Sequence, residues 1–509
     1  MSTRIHLRNL AFNWGGHAAT MVVMFFLSPY VVGKLDAVSY GIWSLLNVLT
    51  GYMGIFDLGV RASVGRHVAL YLGKEDPVGV DETIRAGFGF FSLVGVLILL
   101  VGVGLGFLFP HLFKGVKPEY YDTVRILLPL MVINVWLSAV AAIYSSVLAA
   151  HDRFDIARGV DMVVLLARTI GTVYVLEMGW GLWGLVLAVI AGNVCAVTGN
   201  RIFADRVHRG LRSFPFLYSK ERLAELFSYG IPAFITSAAV KIAGQSSLVI
   251  VGIFLSVSDV REYSVGAMLI IYSTTFIKII SRTFFPAMQR AAGKNDMGEM
   301  ESLLNKQLKV SLIFGGTLYI GYALYSKIFI ELWMLQPSFG IESVVKSSQV
   351  MTVLAFSSLP LLIVNPCISV LASVGRIGIT AKLTLVESLF SVVLSVIFVL
   401  IFNWGLVGVA SGILVSRYLI STTLIPYYAI RELKLQLTGF IKSFIFPAIV
   451  FLLSFYIVCF LATKFYLPHS WKMFFVNVVA VSFCGFSLSG ILLFPRLFCE
   501  KIKLKMCRW

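Results

Sequence analysis

The chain has 509 residues, 58% of them hydrophobic and only 13% charged, with a mean hydropathy of +0.89. A soluble chain would run nearer a quarter charged, and too few polar side chains remain here to cover a water-facing surface, so a soluble enzyme, a disordered chain and a disulfide scaffold are all excluded. The same argument turns the net charge of +17 away from nucleic acid and makes its location along the chain the question.

Apolar stretches of about 20 residues, long enough to cross a hydrocarbon core, recur from end to end, and the alternation of a barrel strand is absent. About fourteen spans are predicted: 10–32, 39–60, 86–109, 124–149, 159–176, 180–200, 227–255, 263–284, 308–327, 348–373, 379–402, 404–430, 440–463 and 471–494. The first follows Arg4 and Arg8 as a signal peptide would, but it is long and has no small-x-small cleavage site, which predicts a retained helix. The fifth is interrupted by Asp161 and Arg168, and the eleventh and twelfth are closely spaced.

The loops alternate in charge. Segments 61–85, 153–158, 201–222, 282–309, 376–382 and 431–442, with both termini, hold most of the basic residues. On that count about 29 of the 42 Lys and Arg lie on one side and about 9 on the other, which by the positive-inside rule places both ends in the cytoplasm and makes the number of spans even. Four basic residues belong to neither set, because Arg168, Lys241, Lys278 and Arg417 fall inside predicted spans.

Sliding the chain on itself by about 223 positions brings its halves into register. SVLAAHDRFDIARGVDMV from Ser146 lies over SVLASVGRIGITAKLTLV from Ser369, pairing Arg153 with Arg376. After one inserted residue, WGLWG at Trp180 meets WGLVG at Trp404, and near the front Asp36 and Tyr40 lie over Asp259 and Tyr263. The unit holds six spans, so the two copies share one orientation and are related by an axis along the membrane normal. The expected organisation is a six-span lobe over 1–200, a basic cytoplasmic linker over 201–226 and a second six-span lobe over 227–430. Two additional spans and a basic tail fill 431–509.

A charge at mid-bilayer costs about 2.5–3.5 kcal/mol and must face a partner or a wet cavity. Lys241 shares a helix face with Ser237 and Gln245; Lys278 has Thr274 and Arg282 one turn away, and Arg417 has Ser421. Arg168 has Thr172 one turn on and Asp161 two turns back, and the first span carries Asn9, Asn13 and His17 on one stripe. Asp57 and Arg61 are one turn apart, where a local ion pair forms readily. Each has a structural reading beside the functional one. Lys278 and Arg282 can snorkel to the inner surface, Arg168 can neutralise Asp161, and His17 can be a packing residue. Lys241 and Arg417 have no acid within a turn, which favours a place lining a cavity. Glu387 is either a counter-ion or a proton site. Cys195, Cys367, Cys459 and Cys484 lie in spans and Cys499 and Cys507 in the tail, with no CxxC or His/Cys cluster, so neither a metal, a cofactor nor a disulfide framework is suggested.

Two like-oriented lobes with cations between them suit alternating access to an anionic substrate. LRNLAFNWGG at the front, the VVGKLDAVSYGIWSLL that follows, FDLGVRASVGRHVA at 56–69 and SVLAAHDRFDIARGVD at the fourth-to-fifth span junction resemble polysaccharide-repeat exporters. These are the Wzx-type O-antigen or exopolysaccharide flippases of the multidrug/oligosaccharidyl-lipid/polysaccharide (MOP) superfamily. The motif resemblance is concentrated in the first ~75 residues, while the span pattern agrees along the chain.

The resemblance implies an all-α polytopic fold, two parallel six-helix lobes as in the superfamily's MATE transporters plus two extra C-terminal helices, in a bacterial inner membrane. The implied function is flipping an undecaprenyl-pyrophosphate-linked oligosaccharide from the inner to the outer leaflet. The head group would pass a cationic cavity of Lys241, Arg417, Arg168, Lys278, His17 and Arg61, carried over in charge character only, with Glu387, Asp161 and Asp57 as counter-ions or coupling groups. The last two spans could hold the lipid tail. Implied partners are that lipid-linked substrate, membrane lipids, and a polysaccharide polymerase with its chain-length machinery.

A lipid II flippase of the same superfamily is the nearest alternative. A cation-coupled drug exporter would carry embedded acids in the first lobe, where Asp57 already has Arg61 beside it. A membrane polymerase or glycosyltransferase would need a large outer loop, whereas 110–123 and 328–347 are short and lack paired acids.

Overall fold

The computed structural model describes residues 3–57, 59–208, 210–211, 214–216, 220–465 and 468–493; side chains at 3–14, 17, 57, 62, 220, 227–237, 239–240, 243 and 491 lie outside the description. In a hydrocarbon surround every backbone N–H and C=O must be satisfied within the segment, and these apolar runs answer by becoming helices. They are α1 (Thr3–Lys34), α2 (Ala37–Met53), α3 (Val60–Gly73), α4 (Pro77–Leu112), α5 (Tyr121–Ala150), α6 (Phe154–Glu177), α7 (Gly181–Val207), α8 (Lys220–Phe254) and α9 (Val257–Gly293). There follow α10 (Met297–Ser311), α11 (Thr317–Met334), α12 (Ile341–Ser358), α13 (Leu361–Ser373), α14 (Ile377–Leu400), α15 (Gly405–Ser416), α16 (Thr422–Glu432), α17 (Leu437–Phe440), α18 (Phe446–Phe465) and α19 (Trp471–Leu493). Single π-helical turns join α10 to α11, α15 to α16 and α17 to α18. No strand forms among the described residues, beyond an isolated bridge between Gln336 and Phe339.

Among the described residues, ten helical runs are long and apolar enough to cross a membrane, or eleven if α12 and α13, bent by 40°, form one span. The other three expected spans fall on α1, α2 and α8, whose described apolar portions are shorter: Ala18–Lys34, the 17 residues of α2, and Gly244–Phe254. The chain is thus a multi-pass helical membrane protein. Helix starts are marked by carboxylates that accept from orphan N–H groups. Asp36 accepts from Val38 and Ser39, Asp76 from Gly79 with Pro77 just inside α4, and Asp296 from Glu299.

By packing, the chain divides into Met1–Arg261 and Glu262–Trp509. In the first unit, Val64 and Val68 of α3, Ile84 and Phe88 of α4 and Ile143 and Val147 of α5 close one core, with Leu226 of α8 against it. In the second, Met300 and Leu308 of α10, Val370 and Leu371 of α13, Ile425 and Ala429 of α16 and Phe444 and Phe451 make the equivalent core. The last two spans build a further cluster on α11, where Phe455 and Phe474 pack and the buried Tyr325 hydroxyl donates to Asn477 (2.6 Å). Packing groups α8 with the first unit, whereas the sequence repeat opens its second copy at 227. The reason is local, because α8 lies against α2, α3 and α4.

Its first turn is tied down by charge. Arg222 reaches Glu82 of α4 through Nη2 (2.7 Å) and Nε (3.0 Å) and Glu225 through Nη1 (3.0 Å). Tyr71 of α3 accepts from Arg222 and donates to Glu225 (2.9 Å), and the buried His67 Nε2 is 3.6 Å from the same carboxylate.

The repeat is visible in the turns themselves. Arg153 N donates to Leu148 O (2.9 Å), and at the matching position Arg376 N donates to Leu371 O (2.7 Å). Left-handed residues Asp152 and Gly375 carry the two turns. Trp180 N closes onto Val175 O (3.0 Å), while Trp404 N closes onto Phe398 O (3.1 Å) across one more residue, which is the insertion read from the sequence.

Two expectations follow. At Gly412 the helices α14 and α15 touch so closely that an added Cβ would lie 2.6 Å from Ser395 N and 2.8 Å from its Cα. Gly412→Val is expected to cost about 1–3 kcal/mol, read as a lower thermal midpoint of the purified protein; an unchanged midpoint would contradict the contact. Burial acts to raise the Glu225 pKa, but the hydrogen bonds from Tyr71 and Arg222 and the adjacent His67 outweigh it and hold the value below the usual 4.5. A depressed carboxylate stabilises the folded form above its unfolded pKa and loses that contribution as the pH falls through the folded one. Unfolding followed downward from pH 4.5 should therefore show a smaller stability loss in Glu225→Gln than in the parent.

Candidate polar nodes within the spans

Two clusters of polar side chains lie inside the apolar helices, one in each unit. In the first, Arg168 on α6 donates to Asn193 Oδ1 on α7, and Asn193 Nδ2 donates to the Asn134 side chain and to Asn134 O (3.2 Å) on α5. Asn193 is buried, Arg168 is half-buried, and Gly192 makes room for the arginine stem, which a Cβ there would strike. The guanidinium Nε is buried with no hydrogen-bond partner among the described residues.

In the second, Arg417 opens the π turn Arg417–Ser421. Its Nε is 3.3 Å from Glu387 Oε1 on α14, and its Nη1 donates to Ser357 O (2.8 Å) on α12. Ser421 donates to the other oxygen of Glu387, and the pair is mostly shielded, with side-chain exposures of 18% for Arg417 and 13% for Glu387. The turn's extra residue is closed by Thr422 Oγ1 donating to Arg417 O (3.0 Å). The guanidinium groups of Arg417 and Arg282 are within electrostatic reach of the Lys278 ammonium, and the Lys278 side chain is exposed. Arg417 thus meets the carboxylate, and Lys278 is a cationic neighbour of Arg417.

The two nodes occupy the same positions of the repeat. Asn134 and Ser357 correspond, and so do Asn193 and Arg417 once the inserted residue is counted. In both units the carbonyl at the first position accepts from the side chain at the second. The arginine has changed helix, however, from α6 in one unit to the π turn in the other.

The remaining predicted residues are scattered. Lys241 on α8 lies over Gly54, where α2 gives way to a 3-10 turn; a Cβ at Gly54 would be 2.6 Å from its ammonium. The carbonyl end of a helix attracts a cation, so Lys241 sits where α2 ends. On the same face the Gln245 amide packs against Gly51, and Ser246 meets Tyr52 at 2.9 Å. Arg61 is exposed. Asp161 pairs with Arg158 (3.0 Å) rather than with Arg168, because seven residues separate Asp161 and Arg168 by about 10 Å along the helix. The side chains of His17 and Asp57 lie outside the described residues, as do Arg4, Arg8, Arg212 and the tail's Arg496, Lys501, Lys503, Lys505, Arg508, Cys499 and Cys507. Sequence reasoning passed over Asn134, Asn193 and Ser357, although the repeat offset marks them. No group of three His, Cys, Asp or Glu able to hold a metal occurs among the described residues.

A family model described as polysaccharide biosynthesis protein matches residues 90–336. A putative O-antigen transporter of Shigella flexneri is 22% identical over 411 residues, covering 79% of this chain and 93% of its own length. A probable low-salt glycan biosynthesis flippase of Haloferax volcanii is 22% identical over 398 residues, 78% of this chain and 77% of its own. Among solved structures, a lipid II flippase in an inward closed conformation superposes with a TM-score of 0.72 at 13% identity, over 95% of this chain and 99% of that one. An inward-facing multidrug resistance MATE transporter of the MOP superfamily gives 0.67 at 14% identity, over 81% and 94%. The last two likenesses concern the fold.

The first node is a half-buried arginine held by an amide alone. Asn193→Leu strips it of that acceptor and should cost about 1–3 kcal/mol, whereas the double variant Arg168→Leu/Asn193→Leu should recover most of the loss. Thermal unfolding of the two variants checks this; equal losses would mean that the contact is not what holds the arginine.

Proposed function

We propose that this chain, a polysaccharide-biosynthesis protein of the MOP superfamily, flips an anionic lipid-linked oligosaccharide between membrane leaflets. The observation that carries the reading is the set of arginine nodes inside otherwise apolar spans. A charge there is costly even when a neighbouring helix answers it, so an ionisable residue kept inside a span points to a functional role. Guanidinium groups suit a diphosphate because they present several donors in a fixed fork and stay charged. The sugar relatives support the substrate class, since one is named as an O-antigen transporter and the other as a glycan biosynthesis flippase.

In this reading the lipid is undecaprenyl pyrophosphate and its sugar head group follows an aqueous path past Lys241, Arg417, Arg168 and Lys278. The hydrocarbon tail stays in the bilayer, with α18 and α19 as its guide. The work is binding and release, with no bond made or broken, so the chain acts as a transporter rather than an enzyme. The basic loops support a reading in which it lies in a bacterial inner membrane with both ends in the cytoplasm, and in which a polymerase with its chain-length machinery takes the product on the far side. The repeat supports a working organisation of lobes 1–200 and 227–430, with 201–226 as the linker and 431–509 as an appendage. A lipid II substrate is the second reading, favoured by the extent of the fold shared with that flippase.

Lys241→Ala and Arg417→Ala are each expected to reduce export at least tenfold, about 1.4 kcal/mol at the transport barrier, while the protein still inserts. Lys241→Arg and Arg417→Lys should be milder. The measurement is complementation of strains lacking either an O-unit flippase or a lipid II flippase, with membrane levels checked in parallel. Full complementation by both alanine variants would sink the cavity assignment, and rescue of only the lipid II strain would exchange the substrate.

A further inference from the structure

The carboxylate of Glu387 has no counterpart in the first unit, and that difference is informative. Both nodes tie together the same repeat positions, and the first does so with neutral amides: Asn193 and Asn134 hold Arg168 without any acid. A node of this kind can therefore form in an apolar helix bundle with an uncompensated guanidinium. At the second node a full negative charge has been brought into the spans, at a desolvation cost that its attraction to Arg417 offsets only in part. Holding the helices together does not require it.

The local geometry suggests another task. Glu387 engages Arg417 through Nε alone (3.3 Å), a single long contact rather than the bidentate fork that gives the strongest pairing. Nη1 is turned away to Ser357 O (2.8 Å), and Nη2 has no partner among the described residues. The second oxygen of Glu387 is independently satisfied by the Ser421 hydroxyl. If the arginine is taken by another anion, Glu387 keeps that donor and is not left bare. Lys278 lies within electrostatic reach of Arg417, and Arg282 within reach of Lys278, so cationic side chains adjoin the node beyond the one that Glu387 neutralises. The π turn contributes by placing Arg417 and Ser421 on the same carboxylate; such single-turn π bulges are frequent at functional sites.

We infer that Glu387 is a competing anion: it occupies the Arg417 guanidinium until a diphosphate displaces it, and thereby sets how tightly the second unit holds that group. The inference rests on the transport reading above and adds a specificity-determining residue to it. An anion with only one charge gains too little from Arg417, Lys278 and Arg282 to displace a carboxylate already in place. A diphosphate, with several charges and more acceptor oxygens, gains enough. The weak single contact also means that the bound diphosphate can be released again when Glu387 returns.

The test uses the purified full-length chain in lipid nanodiscs, with inorganic pyrophosphate as probe and monovalent acetate as control, and reads the dissociation constants by calorimetry. Glu387→Gln keeps the size and the acceptor for Ser421 but removes the charge. It is expected to bind pyrophosphate about tenfold more tightly than the parent, a change of 1.4 kcal/mol, and to bind acetate measurably where the parent does not. The gain should vanish in Glu387→Gln/Arg417→Gln. Unchanged or weaker pyrophosphate binding in Glu387→Gln, or a gain that survives loss of Arg417, would overturn the inference. Should the glutamine variant fail to accumulate, Glu387→Asp withdraws the carboxylate from Arg417 and is also expected to bind pyrophosphate more tightly, with equal or weaker binding counting against it. A parent that binds pyrophosphate in this way but moves no lipid-linked oligosaccharide in reconstituted vesicles would defeat the transport reading alone. Pyrophosphate binding indifferent to Glu387 in a chain that does transport would defeat the competition alone.

Discussion

Everything else in this protein is arranged around the cost of an ionised group in hydrocarbon. An isolated charge at that depth costs about 2.5–3.5 kcal/mol even on lenient scales, so each arginine in a span must be answered by a group on a neighbouring helix. The answers differ in kind. Arg168 receives the oxygen of an amide, Arg417 a carboxylate and a backbone carbonyl, and Lys241 the end of a helix. Each answer also constrains helix packing, since Gly192 and Gly54 must lack side chains for Arg168 and Lys241 to lie where they do. The glycines at these places are part of the electrostatics as much as of the packing.

The duplicated architecture shows how such a constraint is inherited and then altered. The turns that end α5 and α13 close with the same hydrogen bond, between residues matched by the repeat. A carbonyl on α5 and its equivalent on α12 accept from side chains at equivalent positions. What has changed is which helix carries the charge and whether an acid accompanies it. Backbone geometry is the conserved layer, and side-chain chemistry is varied on top of it. If the nodes receive the anion as proposed, such inequality serves transport, because two identical receptors would offer the substrate no reason to leave either one.

Much of the fold was legible in the sequence because two of its signals are one-dimensional. Hydrophobic length reports a span without any knowledge of neighbours, and a repeat offset reports duplication without any knowledge of packing. The inserted residue before Trp404 was readable in this way, and it reappears as the longer closure from Trp404 N to Phe398 O. The polar nodes were only half legible. A search for partners one turn away on the same helix finds Ser421 for Arg417 but misses Ser357, and it leaves Glu387 open between counter-ion and proton site with no partner named. The missing partners come from other helices, and which faces meet is decided by packing. The same search offered Asp161 to Arg168 on periodicity, although two turns of rise put them out of reach. Membership of α8 was hidden for a related reason: its grouping with α2, α3 and α4 depends on Arg222 and Leu226 meeting side chains from α3 and α4, far back in the chain.

The net charge of +17 then separates into parts with different physics. Basic residues in the loops sit in water near anionic lipid, where each is worth about 1 kcal/mol and falls off within a Debye length. They orient the chain but can say little about its cargo, because any polytopic protein of this topology needs them. The arginines in the spans are few, yet each acts in a medium where its field is barely screened and where its partner can be named. Under the proposed transport role, discrimination between anions would arise there. A substrate that crosses the membrane meets the loop charges only at entry and exit, but it must exchange partners with Arg168 and Arg417 if those groups line its way. Under the proposed transport role, the chemistry of that exchange, an amide at one node and a carboxylate at the other, would bear on which anions are held and how readily they leave.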